Sequence, residues 1–165
     1  MIIIFKSRGG KGSAVRSTET DVRMKSRMYP KEPLVGVGAV VLKDDTVLLI
    51  KRGKPPLADT WSLPGGGVKP TETLPDAVIR EVREECGIDV EVVDLIKEFE
   101  YIENANDGKV KYHYIVFDFK ALYRGGSLAS SSDALDARWV RLNRLSDYEL
   151  TYDVREIIQK AVYME

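Results

Sequence analysis

The chain has 165 residues, of which 44% are hydrophobic and 31% charged, and its formal net charge is −1. That composition fits one folded domain and excludes both a fully disordered chain and a surface built wholly for nucleic acid. No apolar run approaches the roughly 18 residues of a membrane span; a single cysteine (Cys86) and a single histidine (His113) exclude an internal disulfide, a cysteine zinc cage and a His-rich metal centre, so any metal chemistry must rest on oxygen ligands.

In chain order, residues 1–33 come first, with eight Lys/Arg against three Asp/Glu, a net of +5, whereas 34–165 net −6. With Gly9-Gly10, Gly12-Ser13 and Ser17-Thr18 and no sustained apolar period, this stretch reads as a basic N-terminal extension. Three meanings are open. It is an arm for an anionic partner such as nucleic acid; or a targeting peptide, against which Glu19 and Asp21 speak; or sequence upstream of a true start at Met24 or Met28. The last is the favoured expectation, because regular patterning begins only after Pro33. The run Ile2–Phe5 is too short for a signal-peptide core of roughly 7–15 apolar residues.

From Leu34 the pattern is regular. Val35, Val37, Ala39 and Val41 alternate, Lys43-Asp44-Asp45-Thr46 makes a turn, and Val47–Ile50 follows, which predicts a hairpin with strands over 35–43 and 46–52. Gly53-Lys54-Pro55-Pro56 ends it. Trp61-Ser62-Leu63 is a short strand candidate, stopped by Pro64-Gly65-Gly66-Gly67. A helix is predicted over 74–86. Thr73 is its N-cap, Asp76 imitates a capping box, Leu74, Val78 and Val82 form an apolar stripe widened by Ile79, and Gly87 stands where a C-cap glycine belongs. Beyond it, 88–95 and 97–101 read as two strands or one long bent strand. Asn104–Gly108 is a turn, 111–123 a strand, 125–132 a loop, 137–142 a strand and 145–148 a short helical turn. A terminal helix over 153–162 has Val154, Ile157, Ile158 and Ala161 on one side. This order gives an α+β fold with helices packed against a mixed sheet.

The chemistry is concentrated in Gly66–Ile88. At about 100° per residue, Glu81, Glu84 and Glu85 fall within an arc of roughly 100° on the helix. Like charges three and four residues apart repel, and Arg80 and Arg83 offset only part of that. A solvated acidic face accounts for most such helices. It does not account for the glycine turn in front of this one or for a fourth acid, Glu72, at its start. A divalent cation does: Mg²⁺ takes oxygen ligands and bridges to substrate phosphates, and Gly65–Gly67 let the backbone come close. Carboxylates with Mg²⁺ suggest phosphoryl or pyrophosphoryl hydrolysis.

These residues also resemble a known family. Gly66, five residues, Glu72, seven residues and then Arg80-Glu81-Val82-Arg83-Glu84-Glu85-Cys86-Gly87-Ile88 match the Nudix box at each of its defined positions, and Trp61-Ser62-Leu63-Pro64-Gly65-Gly66 is similar to the family's usual lead-in. The resemblance extends loosely over 34–162 and leaves out 1–33, so the expected organisation is an extension, 1–33, and a Nudix hydrolase domain, 34–165. The resemblance implies a Nudix-type α/β/α sandwich and a Mg²⁺-dependent hydrolase, Mn²⁺ being the other candidate ion, that cleaves a pyrophosphate bond in a nucleoside diphosphate derivative. It implies Glu81, Glu84 and Glu85 as metal ligands with Gly65 or Gly66 assisting, and Glu72 paired with Arg80 to orient loop and helix. It leaves the general base between a helix glutamate and a distant loop acid, for which Asp133 is preferred over Glu103. Lys51 and Arg52 stand where the family often reads phosphate, and Trp61 and Tyr112 are candidates for lining the base pocket, weighed against core or strand-end roles. Tyr112 and Tyr114 face opposite to His113 along their strand; His113 and Cys86 read as structural.

Two of the family's subclass markers are absent, the proline of ADP-ribose hydrolases (here Tyr101-Ile102-Glu103) and the tyrosine of dinucleoside polyphosphate hydrolases (here Asn104-Ala105-Asn106), and the segment Ser132–Val140 is similar to the ADP-ribose pyrophosphatase-like group. ADP-ribose is therefore favoured. A MutT-type nucleoside triphosphate pyrophosphohydrolase that clears oxidised nucleotides is the alternative, and a non-catalytic nucleotide- or RNA-binding Nudix module is the alternative of another class. The expected setting is cytoplasmic, with a nucleotide small-molecule substrate and no membrane partner; many members of the family it resembles pair into dimers, and the apolar first strand is compatible with a homodimer, but the sequence leaves the oligomeric state open. One Gln, three Asn, one Cys and one His beside many charges suggest a thermophilic source.

Overall fold

The computed structural model describes residues 27–53, 58–129 and 134–164. The strands are β1 (Leu34–Lys43), β2 (Thr46–Arg52), β3 (Trp61–Ser62), β4 (Gly65–Gly67), β5 (Ile88–Asn104), β6 (Val110–Gly126) and β7 (Ala134–Arg141). Helix α1 (Leu74–Cys86) lies between β4 and β5; a 3-10 helix (Leu142–Asp147) and helix α2 (Tyr152–Tyr163) follow β7. Among the described residues no helix is long and apolar enough to cross a membrane.

The sheet divides at the first hairpin. β1 and β2 pair only near their turn, Leu42 opposite Val47 and Lys43 opposite Thr46. They then diverge, and the chain from Trp61 to Gly67 fills the fork. β3 pairs with β2, Lys51 opposite Trp61, and β4 pairs with β1, with Gly36 opposite Gly67, Val37 opposite Gly66 and Gly38 opposite Gly65. β7 lies on the other edge of β2. On the other edge of β1 runs the parallel strand β6, with β5 antiparallel outside it. The glycines expected only to stop a strand form one themselves. A Cβ on Gly65 would stand 2.2 Å from the Val37 carbonyl oxygen, and one on Gly66 would stand 2.5 Å from Glu81 Cδ. Only glycine lets the backbone come this close to both neighbours.

The region 88–101 is one strand, and it runs on to Asn104, with register shifts between Asp89 and Val90, Val92 and Asp94, and Leu95 and Lys97. Each shift bends the strand and increases its twist. β6 runs on through Gly125 and Gly126, which pair with Asp89 and Ile88, so the loop expected from 125 starts later.

Two apolar layers hold the helices. Successive side chains of a strand point to opposite faces. Leu48 and Ile50 pack with Val78, Val82 and Cys86 of α1, while Val47 and Leu49 pack with Ile157, Ile158 and Ala161 of α2. α1 begins and ends on its predicted caps: Thr73 Oγ1 accepts from the Asp76 N–H, and Gly87 has a φ of 69° and donates to the Arg83 carbonyl. α2 starts in the same way, on Thr151. The result is an α/β/α sandwich around a mixed sheet.

Leu48 is fully buried under α1. Leu48→Ala is expected to lower the unfolding free energy by about 2–5 kcal/mol, measured by urea denaturation, because the rigid sheet cannot collapse into the cavity.

Candidate active site

Arg80 organises the face of α1. Its Nε donates to Glu72 Oε1 at 2.6 Å and its Nη2 to Glu72 Oε2 at 2.9 Å, a two-pronged ion pair. Nη2 also donates to the Gly67 carbonyl at 2.9 Å. Nη1 donates to Glu81 at 2.6 Å and to Glu84 at 3.2 Å. One planar guanidinium thus joins the loop acid, the glycine strand and two of the three helix carboxylates, which a lysine's single ammonium cannot do. Hydrogen bonds from Arg80 and from the Lys69 backbone N–H pull the Glu72 carboxyl down from 4.5 to about 2, while Glu72 pushes the Arg80 guanidinium further above its usual value.

The glutamates differ in setting. Glu81 and Glu85 are buried, at 8% and 9% exposure. Glu81 rests in the space left by the missing Cβ of Gly66, and Glu85 Oε2 accepts from the Gly65 N–H at 2.9 Å. Glu84 is half exposed and also takes Lys69 Nζ at 3.3 Å. All three carboxylates therefore meet the Gly65–Gly67 edge or the cation bound to it.

A second wall faces Glu85. The Arg52 side chain lies within electrostatic reach of Glu85, Tyr114, Arg27 and Tyr101, and burial lowers its pKa. Tyr101 and Tyr114 are register partners on β5 and β6. Tyr112 and Tyr114 lie on the same face of β6, their ring centroids 6.4 Å apart at an interplanar angle of 28°. Tyr112 is buried. Burial and a hydrogen bond to Glu103 push the Tyr101 phenol up to about 12. Glu103 is itself bound by Lys111, at 2.7 Å, and by the Tyr101 hydroxyl, and both hold its pKa below the usual range.

The structure separates other residues that the sequence grouped with this site. Lys51 is adjacent to Arg52 on β2 and so points to the opposite face, and Trp61 belongs to the α2 core. Together with Arg138, Tyr148, Asp59, Thr60, Asp147 and Glu149 they line a distinct cavity of about 470 Å³. Trp61 packs edge-to-face on Tyr148, with the Arg138 guanidinium 5.1 Å from its ring centroid. Asp133 lies outside the described residues. His113 bonds Glu100 at 2.7 Å on the other face of β6. Cys86 is fully buried, and desolvation pushes its thiol up to about 12. Arg27 and Tyr101 had escaped the sequence reading. Tyr101 was findable only from its register with Tyr114, and Arg27 lies ahead of any patterned sequence.

In donor chemistry the α1 face suits a hard divalent cation: carboxylate oxygens beside a strand of glycines that lets a cation approach the backbone. Among the described residues, however, no three acidic, histidine or cysteine side chains converge on one point as a ligand group. Glu81 and Glu84 are turned onto Arg80 Nη1 and Glu85 onto the Gly65 N–H. The residues fit a divalent ion in type and in placement on one helix face; their rotamers serve the cation and the amide instead.

The NUDIX domain family model matches residues 32–161. The chain belongs to the Nudix family. A curated relative, the ADP-ribose pyrophosphatase of Methanocaldococcus jannaschii, is 35% identical over 135 residues, spanning 82% of this chain and 76% of the relative. The 8-oxo-dGDP phosphatase NUDT18 of Mus musculus is 32% identical over 160 residues, and this Nudix chain spans only 46% of its length. The crystal structure of a MutT NUDIX hydrolase from Burkholderia pseudomallei superposes with a TM-score of 0.64 at 32% identity, covering 79% of this chain and 98% of that one.

The Glu72–Arg80 pair carries a pH signature. A carboxyl held near 2 when folded against 4.5 when unfolded contributes stability that is complete above about pH 4.5 and lost as pH falls toward 2. Glu72→Gln is therefore expected to lower stability at neutral pH, and its deficit against the wild type is expected to shrink steadily below pH 4.5 in denaturant titrations. A deficit independent of pH would show that the ion pair is not its source.

Proposed function

We propose that this Nudix protein hydrolyses the pyrophosphate bond of a nucleoside diphosphate derivative with Mg²⁺, Mn²⁺ being the alternative ion, and that ADP-ribose is its substrate. The observation that carries this reading is the intact acid face of α1, with Glu81 and Glu85 against Gly65 and Gly66, Glu84 on Arg80, and the half-buried Arg52 within electrostatic reach of Glu85.

Glu81, Glu84 and Glu85 would hold the cation, with the Gly65 and Gly66 backbone beside it. Bound there, the ion neutralises phosphate charge and makes water a stronger nucleophile. Glu72 and Arg80 keep loop and helix in register. Arg52 places a fixed positive charge where charge develops on phosphate oxygens. The oxygen of water bonds to one phosphorus as the bridging oxygen leaves with the other phosphate, so ADP-ribose yields AMP and ribose 5-phosphate. Support for ADP-ribose is the 35% identical relative of that name, of which this chain spans 76%. A second reading, clearance of oxidised guanine nucleotides, is favoured by the relative named an 8-oxo-dGDP phosphatase, although the chain spans less than half of it.

A substrate panel with Mg²⁺, with products identified by mass, separates the two: ADP-ribose is expected to give the highest kcat/KM. Glu85→Gln is expected to lower kcat by more than about a hundredfold, beyond the range for outer partners of a metal site. A wild-type chain that binds nucleotides without turning any over would instead make this a binding module.

A further inference from the structure

The paired strands β1 and β4 carry a strip of bare backbone. Gly36 stands opposite Gly67, and Gly38 opposite Gly65. Between them, Val37 packs into the α1 layer, and Glu81 fills the place of the missing Gly66 side chain. Gly36 and Gly38 therefore face the other side of the sheet. So does Asp118, which pairs with Gly38 from β6 and lies between Phe117 and Phe119 of the α1 layer. A Cβ on Gly38 would overlap Asp118 Oδ1. Chain neighbours apart, no other described residue comes within 4 Å of that point. A Cβ on Gly36 would stand 4.0 Å from Tyr114 Cδ1. Backbone thus floors the strip, and the Tyr114 ring and the Asp118 carboxyl group rim it.

Asp118 is only 4% exposed, and among the described residues no hydrogen bond reaches its carboxyl group. Lys97 is its register partner on β5, but the Lys97 ammonium turns to Glu156 at 3.4 Å. Burial pushes the Asp118 carboxyl up to about 6. At neutral pH it is therefore a carboxylate held without a donor, which costs free energy. Among the described residues, no fully enclosed side-chain oxygen or nitrogen lacks a partner. The Asp118 oxygens consequently stand at an opening that solvent reaches. A flat group bearing an N–H donor fits this place. The glycines let it approach the backbone, Tyr114 gives it an aromatic edge, and the carboxylate accepts its hydrogen.

We propose that Asp118 is a specificity-determining residue: it accepts a hydrogen bond from the exocyclic amino group of the substrate's base, which lies along the Gly36–Gly38 strip beside Tyr114. Gly65 links this place to the acid face. Its N–H is held by Glu85, and its register partner Gly38 lies under Asp118. A nucleotide that brings its phosphates to α1 thus brings its base to the strip. The inference rests on the nucleotide hydrolase reading and deepens it, because it favours adenine over a base with a carbonyl in place of the amine.

The test is equilibrium binding of AMP, IMP and 2′-deoxy-AMP to the full chain at neutral pH, with and without Mg²⁺. Wild type, Asp118→Asn and Asp118→Ala are compared, each checked for native circular dichroism and melting. IMP carries a carbonyl where AMP carries its amine. Wild type is expected to bind AMP and 2′-deoxy-AMP alike and IMP about tenfold more weakly, the worth of one hydrogen bond to a charged acceptor. Asp118→Ala is expected to weaken AMP about tenfold and to leave IMP unchanged. Asp118→Asn, whose amide both donates and accepts, is expected to bring AMP and IMP to within about threefold of each other. Equal wild-type affinity for AMP and IMP overturns the contact, as does a wild type that binds none of the three. So does a preference for AMP that survives in a folded Asp118→Asn or Asp118→Ala chain. A wild type that discriminates against 2′-deoxy-AMP and not IMP overturns it too, by moving recognition to the ribose. Absence of ADP-ribose turnover in a wild type whose preference for AMP depends on Asp118 overturns the hydrolase reading and leaves the contact standing.

Discussion

Arg80 is the constraint from which the local architecture follows. Four acidic side chains, Glu72 ahead of α1 and Glu81, Glu84 and Glu85 along it, lie about one guanidinium and the glycine strand, and without a counter-charge the repulsion among them would splay the loop from the helix. The guanidinium answers this through its shape. Its edges reach Glu72, Glu81, Glu84 and the Gly67 carbonyl at once, so the loop acid, the helix acids and the glycine strand become one rigid unit. Arg80 and Glu72 are largely shielded from water, at 18% and 13% side-chain exposure, so their mutual attraction is less screened than that of the surface pairs around them.

That unit is held against the sheet by a second constraint, the fork between β1 and β2. Because the strands part after Leu42, the segment from Trp61 to Gly67 inserts between them and presents the Gly65 N–H to Glu85. The two apolar layers then fix α1 to one side and α2 to the other. Alternation along β2 has a direct consequence for function. Arg52 faces the acidic helix and Lys51 faces the cavity by Tyr148, although they are consecutive in sequence. A single step along a strand turns a side chain to the other face, so adjacency in sequence says little about which of two cations meets a phosphate.

The long β5–β6 pair supplies the remaining wall. Its register places Tyr101 opposite Tyr114 and Glu103 opposite Tyr112, and with Lys111 these residues form a connected polar and aromatic group. The same pair gives the incoming N-terminal segment a carbonyl to dock on, at Lys111. The cleft is therefore bounded by elements from before, within and after the Nudix box.

What the sequence determined by itself is local in origin. The hairpin, α1 with both caps, the terminal helix and the three-glutamate face all follow from short-range periodicity, capping chemistry and the box spacing, and the structure places them where they were expected. Tertiary structure alone decided that Gly65–Gly67 pair as a strand, because that depends on the close approach of Val37 and Glu81. It alone turned Lys51 and Trp61 away from the acidic face, since the sheet's division sets which side of β2 meets α1. It alone brought Arg27 to the glycine edge, through a hydrogen bond between residues 82 positions apart. Contacts of that range leave no periodic trace in the chain, because they come from how the layers stack and not from any residue's neighbours.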